Sequence, residues 1–250
     1  MKASKPVRYL FQTALALVYC LAAGMSAHGQ EQIPGYPDDV RFGFDPRELA
    51  LLPPYCIYTQ LFRDNVPGGN NFDQINRWRL LLGPAFNDLH HYCWGLMKTN
   101  RALLLARTQR LRTFYLRDSI PEFDYLINRH PDFKLLPEIL TKKGENLVRL
   151  GKGQDGMVEF QRAIAFKPDY WPPYAAMSDY YKQIGDLAKA RKSVEEGLSF
   201  NPGVKALERR MAELNGTKGR REGAPQPQSS IEKSAAQPQT PAEQSNERSN

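Results

Sequence analysis

Apolar positions through the middle of this chain fall at three- and four-residue steps, the spacing of one helix face. Phe86, Leu89, Cys93, Leu96, Met97, Leu103 and Leu104 follow it and predict a helix from Pro84 to about Ala106. His90 falls on that face, four residues after Phe86 and three before Cys93, whereas His91 points elsewhere. Upstream, Asn71 with Gln74 three residues on resembles a helix-starting box and predicts a short helix over 72–82, stopped by Gly83-Pro84. Downstream, a helix is expected over Phe114–Asn128, interrupted by Pro121. Residues 30 to about 52 contain "IPGYPDDVRFGFDPRE" and predict an extended arm with little helix. From Thr217 to Asn250 there is no aromatic residue and a single Ile, too little apolar surface to fold, so a disordered tail is expected.

The segment from Pro137 repeats itself. Pro168 and Pro202 stand 34 residues apart, and the windows 137–170 and 171–204 superpose. The first has Leu140, Gly144, Leu147, Phe160, Ala163 and Pro168; the second has Tyr174, Ser178, Tyr181, Val194, Gly197 and Pro202 at the same places. Gly156 in the first window corresponds to Ala190 in the second. This pattern closely resembles the tetratricopeptide repeat family, although Gly156 replaces the usual Ala and Ser178 the usual Gly or Ala. Both departures keep the place small, as close helix approach requires.

The resemblance implies an all-α fold: a helix-turn-helix array with two clear repeats, 137–170 and 171–204. Such a unit cannot bury its own face. Residues 84–136 are therefore expected to supply a degenerate hairpin on one side, and 205–216 a solvating cap helix on the other, preceded by an irregular segment over 30–83 with one short helix.

The first residues change what the rest can mean. Lys2, Lys5 and Arg8 precede the apolar run "YLFQTALALVYCLAAGMSA", which is short, carries Gln12 and Thr13 and ends in small residues. That is a signal-peptide layout over 1–29, with cleavage expected after Gly29, and it favours removal over a membrane anchor. A periplasmic or secreted protein with no membrane span in the mature chain follows. The residue before Cys20 is Tyr19, where a lipobox would need Gly, Ala or Ser, which argues against lipidation. Of the formal charge of +7, the leader carries three, leaving +4 on the mature chain. Export also makes nucleic acid a poor partner.

Removal of Cys20 leaves Cys56 and Cys93, and in an oxidising compartment two remaining thiols are expected to pair. The alternative is a metal- or haem-handling site built from His90, Cys93 and Cys56. Its spacing matches no zinc signature, and the chain has no C-x-x-C or C-x-x-C-H. No bound cofactor is expected. A basic run, Lys98, Arg101, Arg107, Arg110, Arg112 and Arg117, could meet an acidic partner or could be a solvated face. "PDYWPPY", residues 168–174, sits at the repeat junction, where packing is the default role.

The resemblance also implies that the first helix of each unit lines a concave surface. Carried over by place, the lining residues are Glu138, Thr141, Glu145, Val148 and Arg149, then Pro172, Ala175, Asp179, Lys182 and Gln183. Their mixed charge suits an extended peptide. Thr141 and Glu145 stand where Lys and Asn form the carboxylate clamp of chaperone-binding members, so a C-terminal carboxylate is not the expected ligand. The expected function is that of a non-catalytic adaptor for an envelope protein or peptide. No Ser/His/acid or paired-carboxylate arrangement stands out.

Overall fold

In the computed structural model, Pro37, Val40 and residues 43–222 are described, without the side chains of 217–222; the expected leader and most of the expected tail lie outside them. The elements run α1 (Pro46–Leu49), a 3-10 turn (Cys56–Tyr58), α2 (Phe72–Leu82), a 3-10 segment (Gly83–Asn87), α3 (His90–Asn100), a π turn (Arg101–Leu105), α4 (Gln109–Arg129), α5 (Leu136–Arg149), α6 (Gly153–Phe166), α7 (Pro172–Gln183), α8 (Leu187–Phe200) and α9 (Lys205–Glu222). Successive helices pack in antiparallel hairpins, α3 on α4, α5 on α6 and α7 on α8, and α9 closes against α8. The fold is all-helical, with tetratricopeptide-like hairpin repeats. Among the described residues no helix is long and apolar enough to cross a membrane.

Local chemistry explains most of the boundaries. The Asn71 side chain accepts from the Gln74 amide at 3.0 Å, and Gly83, at φ 71°, ends α2. Gly151 and Gly185, at φ 79° and 83°, make the turns inside the two repeats.

Four expectations need correction. The arm contains a helical turn, α1, because Asp45 accepts from the Arg47 amide at 2.8 Å and Pro46 suits the first helical position. The helix expected over 84–106 is three pieces. Its π turn adds a residue that rotates the chain, so Leu103 and Leu104 face solvent rather than continuing the apolar stripe. The next helix starts at Gln109, capped by Thr108 on the Leu111 amide at 3.1 Å, and Pro121 does not interrupt it. Proline removes the donor to the carbonyl four residues back and loosens the turn. Lys98 Nζ donates to the Asp118 carbonyl of that turn at 3.2 Å. Finally, α9 runs to Glu222, so the expected tail begins helical.

The N-terminal segment contributes to the main core. Leu52, Tyr55, Phe62 and Ile75 interleave with Phe86, Tyr92, Met97 and Phe123 in the largest apolar cluster, which reaches Ile139 and Leu140 of α5. Residues 52–89 thus cover the open side of the first hairpin, as α9 covers the last, which is what a stack of units needs at each end. Inside this cluster Cys56 and Cys93 are joined, with Cα atoms 5.6 Å apart and neither residue exposed.

Candidate functional site

The face shared by α5, α7 and α9 is where the carried-over groove residues fall. Between α5 and α7 lies a cleft of about 210 Å³, lined by Glu145, Val148 and Arg149 from α5, Phe160 from α6, and Ala176, Asp179, Tyr180 and Gln183 from α7. Apolar walls with charges of both signs at the rim suit a peptide segment. Arg149 reaches Glu145 at 3.4 Å and Asn146 at 3.1 Å, so its charge is loosely held.

Not every expected residue opens into that space. Thr141 is buried, its hydroxyl donating to the Pro137 carbonyl at 2.7 Å, because the degenerate hairpin packs across the start of α5. Ala175 is buried as well. Asp179 receives both Nε and Nη2 of Arg210 at 2.9 and 2.7 Å, and Lys182 pairs with Glu213 at 3.0 Å. The cap helix therefore takes the place of a further groove helix and binds these two charges itself. Glu138 accepts from the buried Tyr92 hydroxyl at 2.6 Å. The sequence carried no sign of Arg210, Tyr92 or Tyr180 in this region, because all three arrive through tertiary contact, and Phe160 is legible there only as a repeat position.

The histidine-cysteine alternative loses its two sulfur donors. Sulfurs bonded to each other offer no thiolate. His91 Nδ1 lies 2.7 Å from Glu122 and its ring stacks on Tyr125 with centroids 3.8 Å apart. Among the described residues no group of three or more His, Cys, Asp or Glu side chains could hold a metal ion.

The basic run divides. Lys98 is buried against Asp118 and Glu122 at 2.9 and 2.7 Å, Arg101 against Glu48 at 2.7 Å, and Arg112 donates to the Ala102 carbonyl at 3.2 Å. Only Arg107, Arg110 and Arg117 remain as exposed charge without a partner among the described residues. "PDYWPPY" packs as expected at Tyr174, which is fully buried and donates to the Pro168 carbonyl at 3.0 Å.

No protein-family model matches the chain. Over 86 residues, 34% of its length, it is 29% identical to a protein of Dictyostelium discoideum described as Protein STIP1 homolog, and the match spans 15% of that relative. A solved structure described as the first TPR of Spaghetti (RPAP3) bound to HSP90 peptide SRMEEVD aligns at a TM-score of 0.38 and 14% identity, covering 50% of this chain and 96% of that one. The chain carries tetratricopeptide-like hairpins. Its own helix pairing and 34-residue spacing are the ground for that statement.

Proposed function

We propose that the protein is a non-catalytic adaptor that holds an extended segment of a partner protein across the face of α5 and α7, and that it works in the envelope or outside the cell. The cleft between these helices carries the first part of this reading. It offers apolar depth at Phe160, Val148 and Ala176 beside Arg149, Glu145 and Gln183, a combination that accepts side chains and backbone together. Burial of Thr141 and the carboxylate of Glu145 speak against a free C-terminal carboxylate as the ligand. The layout of the first 29 residues and the buried disulfide support a location where thiols are oxidised.

A photo-reactive phenylalanine analogue at Gln183, in the cleft, is expected to cross-link a protein partner in intact cells. The same analogue at Val158, exposed on α6, serves as the comparison and is expected to give none. Adducts of equal yield at both positions, or none at Gln183, would sink the groove reading. Fractionation of the same cells tests the location: a reduced protein in the cytosolic fraction would overturn it.

A further inference from the structure

Charge below the surface of this molecule is almost entirely paired. Every other buried or half-buried carboxylate among the described residues has a Lys, Arg or His nitrogen within 3.4 Å, from Glu48 with Arg101 to Glu208 with Lys205. Glu138 is the exception. It is half-buried near the start of α5, on the groove face, and its partner is the neutral Tyr92 hydroxyl. Lys142, one turn along the same helix, is directed at Glu145 at 3.4 Å instead. A carboxylate that gives up hydration without gaining a cation is unfavourable unless something supplies one.

Three tyrosines belong to the same region. Tyr92 is fully buried and holds one carboxylate oxygen. Tyr55 is 8% exposed, and its hydroxyl is a buried polar atom with no hydrogen-bond partner. Tyr170, half-buried, ends the first repeat. Burial, and after it the charge of Glu138, raises the proton affinity of the Tyr55, Tyr92 and Tyr170 phenols; Glu145 adds to the effect at Tyr170. All three therefore remain neutral and lie within the field of Glu138.

We infer that Glu138, held in place by the Tyr92 hydroxyl, receives a basic side chain, Lys or Arg, of the peptide held on this face. The inference rests on the groove reading above and adds the chemistry of its ligand. An ammonium or guanidinium placed there neutralises the one buried or half-buried carboxylate among the described residues that has no cation beside it. Glu138 and Glu145 lie seven residues apart on α5, about 10 Å along the helix, so a peptide whose base sits at Glu138 reaches the cleft within a few residues.

The test is selection of phage-displayed random dodecapeptides on the disulfide-bonded protein, its Glu138→Gln variant and its Ala176→Arg variant. Glutamine keeps an acceptor for Tyr92, so Glu138→Gln is expected to unfold within a few degrees of the parent. The parent should select Lys or Arg at a fixed position, and Glu138→Gln should lose that preference and bind the best peptide about tenfold more weakly. Norleucine in place of the selected base should cost a similar factor in the parent and little more in Glu138→Gln. Peptides that depend on Ala176 but show no basic preference would overturn this inference and leave the groove reading standing. Failure to select any peptide sensitive to Ala176→Arg would overturn both.

Discussion

Among the described residues Arg101 is the largest side chain sealed from solvent, at 1% exposure. Its guanidinium meets Glu48 through Nε at 2.7 Å and Nη2 at 3.1 Å, donates to the Gly43 carbonyl and lies over the Trp94 ring at 5.4 Å. The pair ties α1 to the end of the first hairpin, and breaking one side strands a buried charge. Glu48→Gln is expected to cost about 3 kcal/mol in urea unfolding. Glu48→Leu with Arg101→Met, which removes both charges, should cost clearly less, and equal losses would refute this account. His90 carries a second residue-level prediction. Burial, and then the neighbouring His91, lowers its proton affinity, and its Nδ1 is buried without a partner. The unfolded chain therefore binds a proton that the fold refuses. This stabilisation is complete above the ordinary value of 6.5 and is lost as pH falls through the lower folded value. Urea midpoints at pH 7.5 and 5.5 should converge in His90→Leu relative to the parent; an unchanged difference would remove His90 from the pH response. Asp88 acts in a separate window. Burial raises its proton affinity, but hydrogen bonds from His130 and Arg129 outweigh that, so its contribution is lost only below about 3.8.

At the scale of helices, the repeats depend on how closely α5 and α6 approach. A methyl group on Gly144 would stand 2.5 Å from Phe160 Cε1 and 2.9 Å from the Gly156 carbonyl oxygen. One on Gly156 would stand 2.7 Å from Val148 Cγ2 and 2.8 Å from the Gly144 carbonyl. Because backbone blocks each, Gly144→Ala and Gly156→Ala are each expected to destabilise by about 1–3 kcal/mol despite better helix propensity. Gly216→Ala, with nothing within 4 Å, should be neutral or stabilising. Thermal midpoints of the three variants decide the matter. The same steric demand is why the repeats were legible in the sequence: it dictates residue type at Gly144 and Ser178, Gly156 and Ala190, Ala163 and Gly197. Other features leave no such mark. The single turn at "DPRE" hides in a proline-containing arm, and Arg101, where the π turn begins, is held by Glu48, 53 residues away. The surroundings of Glu138 were illegible for a like reason, since Tyr92 is 46 residues distant and Tyr55 farther still. Thr141 was expected in the groove because the family pattern assumes an exposed first hairpin, whereas here a preceding hairpin buries it.

At the scale of the molecule, the disulfide is a brace within a core. It closes a separation of 37 residues, worth about 4 kcal/mol in the chain-entropy account, a large share of a domain's stability. The packing around it continues without it, from Tyr55 and Phe62 to Met97 and Phe123. The double variant Cys56→Ala, Cys93→Ala is therefore expected to fold, with its stability lowered by about that amount. The loss should also be graded along the stack. Tyr174, Val194 and Leu207 belong to a separate cluster at the far end, and a stacked array passes stability only from neighbour to neighbour. Hydrogen exchange in the double variant should show the greatest loss of protection over residues 52–97, less in α5 and α6, and least in α7 to α9. Both half-cystines are inaccessible in the fold, so dithiothreitol alone should act slowly on the parent and quickly once urea is added. Uniform loss of protection would mean that the array unfolds as one unit, and rapid reduction without urea would mean that the front end opens on its own; either result would contradict a brace sealed inside a graded stack.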